Sequence, residues 1–99
     1  MDKVKIGGIT YSIEKVEDYT GTEGRWGSIS FKKAEIGLDD RLNIDVYNQT
    51  LIHEILHGII KESCIDLEDE EEEMIVDKMS KVLFQVLSDN DFSFLNKHV

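Results

Sequence analysis

The window Ile44 to Lys61 constrains this chain more than any other stretch. Tyr47, Leu51, Ile52, Ile55, Leu56, Ile59 and Ile60 recur there at helical spacing, with no proline and no glycine before Gly58. Asn43 stands where an N-cap belongs, and Asp45 sits in the first turn, where a negative charge complements the helix dipole. The helix is expected to stop within about a turn of Gly58 and Lys61. Glu62 to Glu68 then reads as a short connection, and the acidic run Asp69 to Glu73 opens a second helix reaching about Ser88. On that helix Ile75, Met79, Val82, Leu83 and Val86 mark the centre of a broad apolar arc, which Val76, Ser80, Phe84 and Leu87 extend to one side.

The apolar helix faces need a partner, and the first forty residues supply strands. Lys3 to Ile6 and Ile9 to Val16 flank Gly7-Gly8, a two-residue hairpin signal, and Ile9, Tyr11 and Ile13 alternate with polar neighbours. Glu17 to Gly24 reads as a loop. Trp26 to Phe31 and Ala34 to Leu38 predict a second hairpin, with Ile29 and Phe31 facing Ile36 and Leu38 across a Lys32-Lys33 turn and Asp39-Asp40 closing it. The expectation is one α+β domain over residues 1–99. A small twisted, mainly antiparallel sheet from residues 3 to 39 packs on the first helix, and the second long helix crosses beneath. Asp89 to Val99, with Phe92, Phe94 and Leu95, is a docking element or a frayed tail.

Charge narrows the partners. A formal charge of −10 over 99 residues argues against nucleic acid, whose phosphates it would repel, and leaves a metal ion, a basic partner or an uncharged peptide. No signal peptide is visible, and no apolar run approaches the roughly 20 residues needed to span a bilayer, so a cytoplasmic protein is expected. The lone Cys64 agrees with a reducing compartment. A thiolate there could ligate or block a metal, although such a residue is more often a small buried hydrophobe.

The first helix carries His53-Glu54-Ile55-Leu56-His57, the HExxH pattern. Histidines at i and i+4 lie one above the other, so both imidazoles reach one metal ion, while Glu54 stands beside them as base for a water. A catalytic zinc usually takes three protein ligands, so a further donor is required. Glu73, Glu72 and Asp69 all fall within the apolar arc of the second helix, where a carboxylate is costly without a partner such as a metal. Only Glu73 has an aspartate, Asp77, at i+4, and a carboxylate in that place can hold the second ring nitrogen of a metal-bound histidine. That selects Glu73. The oxyanion stabiliser is unassigned: Tyr47, Tyr11 and His98 are the available candidates, and residues of these kinds are more often structural or on the surface.

Thr50-Leu51-Ile52-His53-Glu54-Ile55-Leu56-His57-Gly58, followed by Glu73-Met74-Ile75-Val76-Asp77 and Leu83-Phe84-Gln85-Val86-Leu87-Ser88-Asp89-Asn90, resembles small phage and prophage proteins of the minigluzincin type. These are similar to stripped-down ImmA/IrrE metallo-endopeptidases, which pair HExxH with a downstream ExxxD-like segment. The resemblance implies a zincin-like fold and a zinc metallopeptidase acting on a peptide or protein, active or latent. It also implies His53, His57 and Glu73 as zinc ligands, Glu54 as general base and Asp77 as the carboxylate behind a histidine. Where the larger relatives have alanine and asparagine after the ligand glutamate, this chain has Val76 and Asp77. The rival expectation is a non-catalytic acidic protein that keeps zinc for stability and binds a basic host protein. A third lays the tail Phe92 to Val99 over the metal, with His98 in the fourth position. The oligomeric state is left open.

Overall fold

The computed structural model describes residues 2–17, 19 and 26–95. Four strands come first, β1 (Asp2–Ile6), β2 (Ile9–Val16), β3 (Gly27–Ser30) and β4 (Glu35–Asp39), followed by α1 (Ile44–Glu62) and α2 (Asp69–Asp89). The architecture is α+β, a small mixed sheet with two helices, and among the described residues no helix is long and apolar enough to cross a membrane.

The two hairpins form where the turn residues allow them. Gly7 and Gly8 both take positive φ, 58° and 90°, the backbone that a tight two-residue hairpin needs, and Ile6 pairs with Ile9 across them. In the second hairpin Ile29 pairs with Ile36 as expected, but Leu38 lies opposite Gly27, not Phe31. The reason is antiparallel register: once Ile29 faces Ile36, residues nearer the turn can meet only each other. Phe31 therefore leaves the strand at the start of a four-residue turn, where the Lys61 ammonium stands 5.6 Å over its ring. Ala34, at φ 52°, closes that turn.

The hairpins join through β2 and β4, which pair in parallel and give the strand order β1-β2-β4-β3. The sheet is thus mixed, with antiparallel pairs on either side of one parallel pair. Ile6, Tyr11, Ile36 and Leu38 are buried on the inner face, where Val4, Ile13, Ile29 and Ala34 surround them and Tyr47, Leu51 and Ile55 of α1 close the layer. Ile9 remains half exposed beside the first turn, so the inward alternation of β2 starts at Tyr11. Helix and sheet approach closely at Gly58, where a Cβ atom would stand 2.8 Å from Ile6 Cδ1 and 3.2 Å from Ile29 Cδ1. The Tyr11 hydroxyl donates to Glu62 Oε2 at 2.9 Å and pins the end of α1 to β2.

Both ends of α1 are specified locally. The Asn43 side chain accepts from the backbone N–H groups of Asp45 and Val46, as its N-cap position predicts. At the other end the Cys64 N–H bonds the Lys61 carbonyl and the Ile65 N–H bonds the Ile60 carbonyl, a Schellman stop with Cys64 in the left-handed position at φ 58°. Cys64 is exposed and belongs to this stop, so the expectation of a small buried hydrophobe is overturned.

α2 packs on α1 and runs back along it, so that His53 meets Asp77 and His57 meets Glu72. Its buried side chains are Val76 and Ser80, whereas Met79 and Val82 are 54% and 62% exposed. The buried stripe is therefore rotated away from the arc centre that the apolar residues define. A single neighbouring helix covers only a narrow stripe of α2, and the carboxylates that reach α1 decide which one.

Two glycine exchanges test this packing. Cys64→Gly should stabilise the fold by about 0.5 kcal/mol, because the left-handed penalty of about 1–2 kcal/mol exceeds the entropic cost of a glycine. Gly58→Ala should instead destabilise it by about 1–2 kcal/mol, since crowding against Ile6 and Ile29 outweighs better helix propensity. Urea melts of both variants against wild type give the two signs.

Candidate metal centre

Helix geometry sets the two histidines of α1 one turn apart, with ring centroids 5.0 Å from each other at 65°. Glu73 of α2 reaches between them. Its Oε1 lies 3.0 Å from His53 Nε2 and its Oε2 lies 3.2 Å from His57 Nε2. One ligand atom from each of His53, His57 and Glu73 can be chosen so that all lie within 4.8 Å of one another, and this group could hold a metal ion. The donor chemistry fits: two imidazole nitrogens and one carboxylate are a common three-ligand zinc set. Ligands at about 2.0–2.1 Å from a tetrahedral ion would stand roughly 3.3 Å apart, and these donors gather within 4.8 Å.

The other ring nitrogens are also engaged. His53 Nδ1 lies 3.2 Å from Asp77 Oδ1, and His57 Nδ1 lies 2.6 Å from Glu72 Oε2. Ionised carboxylates only accept hydrogen bonds, so with an ion among His53, His57 and Glu73 each imidazole would donate from Nδ1 to Asp77 or Glu72 and turn the lone pair of Nε2 to the metal. Such a partner fixes the tautomer and the ring orientation of a metal-binding histidine and raises its basicity. Asp77 thus meets His53. Glu72, considered above as a competing third ligand, stands instead behind His57 on the nitrogen turned away from Glu73. Asp69 lies on the exposed start of α2, along a surface it shares with Asp66, Glu68, Glu70 and Glu71. Glu73 does not lie on a buried face either. Its side chain is 56% exposed against 24% for Glu72, at the open rim of the site.

Glu54 follows His53 on α1 and is buried, lining the same hollow as both histidines. Ser28 and Ile29 of β3 line it from one side, and Glu72 and Glu73 of α2 from the other. Since β3 is an edge strand, the site is a groove with α1 as its floor. β3 lies tight on that floor: a Cβ on Gly27 would come within 2.8 Å of Thr50 Cγ2 and 3.0 Å of Leu38 Cδ2. Beyond His53 the groove widens into a cavity of about 430 Å³ that reaches Trp26, Gln49 and Lys81.

The remaining candidates lie elsewhere. Tyr11 is buried in the core, and its hydroxyl is held above the ordinary pKa first by burial and then by its hydrogen bond to Glu62 and the charge there. Tyr47 packs against the core beneath Lys15, its pKa raised by burial and then by Asp2. Neither lines the groove. His98 lies outside the described residues, and Cys64 is not among the grouped donors. Sequence reasoning missed the place of Glu72. One signal could have found it: if α2 runs antiparallel to α1, the partner of His57 must lie about one turn before the partner of His53.

Comparison with protein-family models, with curated proteins and with solved structures finds no match to this chain.

Metal competition against a chelator should rank the carboxylates. Glu73→Ala should cause the severe loss, and Asp77→Ala and Glu72→Ala should each weaken binding by about 10- to 100-fold, the usual weight of a carboxylate behind a metal-bound histidine. Asp69→Ala should bind as wild type does. A Glu72→Ala variant with unchanged affinity would remove the His57 contact from any part in holding the metal.

Proposed function

We propose that this protein is a zinc-dependent peptidase with a zincin-like fold, of the reduced gluzincin kind that its motifs resemble. The observation that carries the reading is the convergence of His53 Nε2 and His57 Nε2 on one Glu73 carboxylate, with Glu54 buried in the same hollow. Zinc held there would polarise a peptide carbonyl and acidify a water, the chemistry of a Lewis acid at such a site.

The chain's own residues do the rest. Glu54 accepts a proton from the attacking water and returns it to the leaving amine, as a general base that becomes a general acid. Asp77 and Glu72 keep both imidazoles in the tautomer and orientation that ligation requires. The outer edge of β3, the edge strand among the described residues, holds an extended substrate by main-chain hydrogen bonds across the groove. Burial of Glu54 beside β3 and α1 keeps bulk water from competing for its carboxylate.

Two measurements test this. Elemental analysis after dialysis should find one zinc per chain, and a stoichiometry near zero that added zinc does not restore would end the reading. Glu54→Gln should retain zinc and fold while hydrolysis of an unstructured protein falls by roughly 10²-fold or more, the weight of a general base. Equal inertness of wild type and variant on a broad peptide panel would favour a non-catalytic, acidic zinc-binding protein that docks on a basic partner.

A further inference from the structure

We propose that the cavity beyond His53 reads a carboxylate on the C-terminal side of the bond to be cleaved, with Lys81 as its ion partner and Trp26 as its apolar wall. This rests on the peptidase reading for the direction of the substrate, and it adds the class of substrate taken.

The first argument is charge. Among the described residues that line the groove and this cavity, Lys81 is the single lysine or arginine, while Glu54, Glu72, Glu73 and Asp77 gather at the metal group. The groove is therefore acidic around the metal group and gains one cation, Lys81, on the side of the cavity that holds Trp26. In a chain of formal charge −10 that lysine is the cation placed to meet a substrate carboxylate, and it stands on one wall.

The second argument is direction. β3 runs the same way along the floor as α1 does, with Gly27 against Thr50 and Ile29 against Gly58. A substrate pairing antiparallel to β3, the more stable mode per residue, sends its C-terminal part toward Trp26 and Lys81. The third is length. Lys81 follows Glu73 by eight residues, about 12 Å along a helix, and an extended peptide advances roughly 3.3 Å per residue. A carboxylate two or three residues past the reacting carbonyl comes within reach of the Lys81 side chain. The indole of Trp26, more than half exposed, offers an apolar surface to the residue between.

The bland account of Lys81 is a helix-surface pair with Asp77 one turn back. Matched peptides separate the two. All share one scissile segment; two residues beyond it they carry a free C-terminal carboxylate, the corresponding amide, or a continuing chain with Glu or with Gln. Both carboxylate sources should exceed their neutral counterparts by about 3- to 10-fold in kcat/KM, the range that an exposed to half-buried ion pair supports. Lys81→Met should erase that difference, and Lys78→Met, on the same helix but outside the groove, should keep it. A preference for only one source would identify it as a terminal or a side-chain carboxylate. No preference in wild type, or one that survives Lys81→Met, would overturn the proposal.

The zinc-loaded Glu54→Gln variant gives a second readout, because Trp26 is the only tryptophan and its fluorescence reports occupancy of the cavity. The same ranking in affinity, lost with Lys81→Met, without turnover in wild type would keep the carboxylate subsite and remove the peptidase reading. Equal or absent binding of all four peptides would sink the subsite.

Discussion

α1 is held on two sides at once, and everything at the site depends on that. Tyr47, Leu51, Ile55 and Gly58 bind it to the sheet, while its histidines meet α2. The sheet contact fixes the rotation of the helix about its axis. With Gly58 against Ile6 and Ile29, little rotation is possible, and His53, Glu54 and His57 are turned to the gap between β3 and α2. The placing of the two histidines and Glu54 is set by a packed core rather than by the donors themselves, whereas the carboxylates of α2 depend on their own contacts with α1.

Charge is concentrated at the site. Three carboxylates, Glu72, Glu73 and Asp77, surround two imidazoles, and more acidic residues lie immediately upstream on α2. A helix start tolerates such charge through its dipole, by roughly 0.3–1 kcal/mol per group at exposed positions. Mutual repulsion among the carboxylates opposes this. A divalent cation at the centre would offset that repulsion directly, and carboxylates behind both rings would make the imidazoles stronger donors.

Much of this was legible in the sequence where local rules decide the outcome. Gly7-Gly8, Asn43 and the 3.6-residue periodicity of Ile44 to Lys61 act over a few residues, and the first hairpin and α1 formed accordingly. HExxH places its histidines by helix geometry alone. What was not legible depends on contacts between distant segments. The parallel pairing of β2 with β4 has no turn to announce it. The rotation of α2 is not legible because an apolar arc predicts the buried face only when enough neighbours exist to cover it. The structural role of Tyr11 is fixed by a Glu62 contact that spans 51 residues of sequence.

The narrow seat of α2 bears on how the molecule breathes. With Val76 and Ser80 as its only fully buried side chains, α2 has few apolar anchors, and it is the element best placed to detach without disturbing the sheet. Yet it supplies Glu72, Glu73 and Asp77. Ligation across the two helices would thus act as a clasp. Metal release and local opening of α2 would then be coupled, so that the concentration of a bound cation would set how often the helix lifts from its seat.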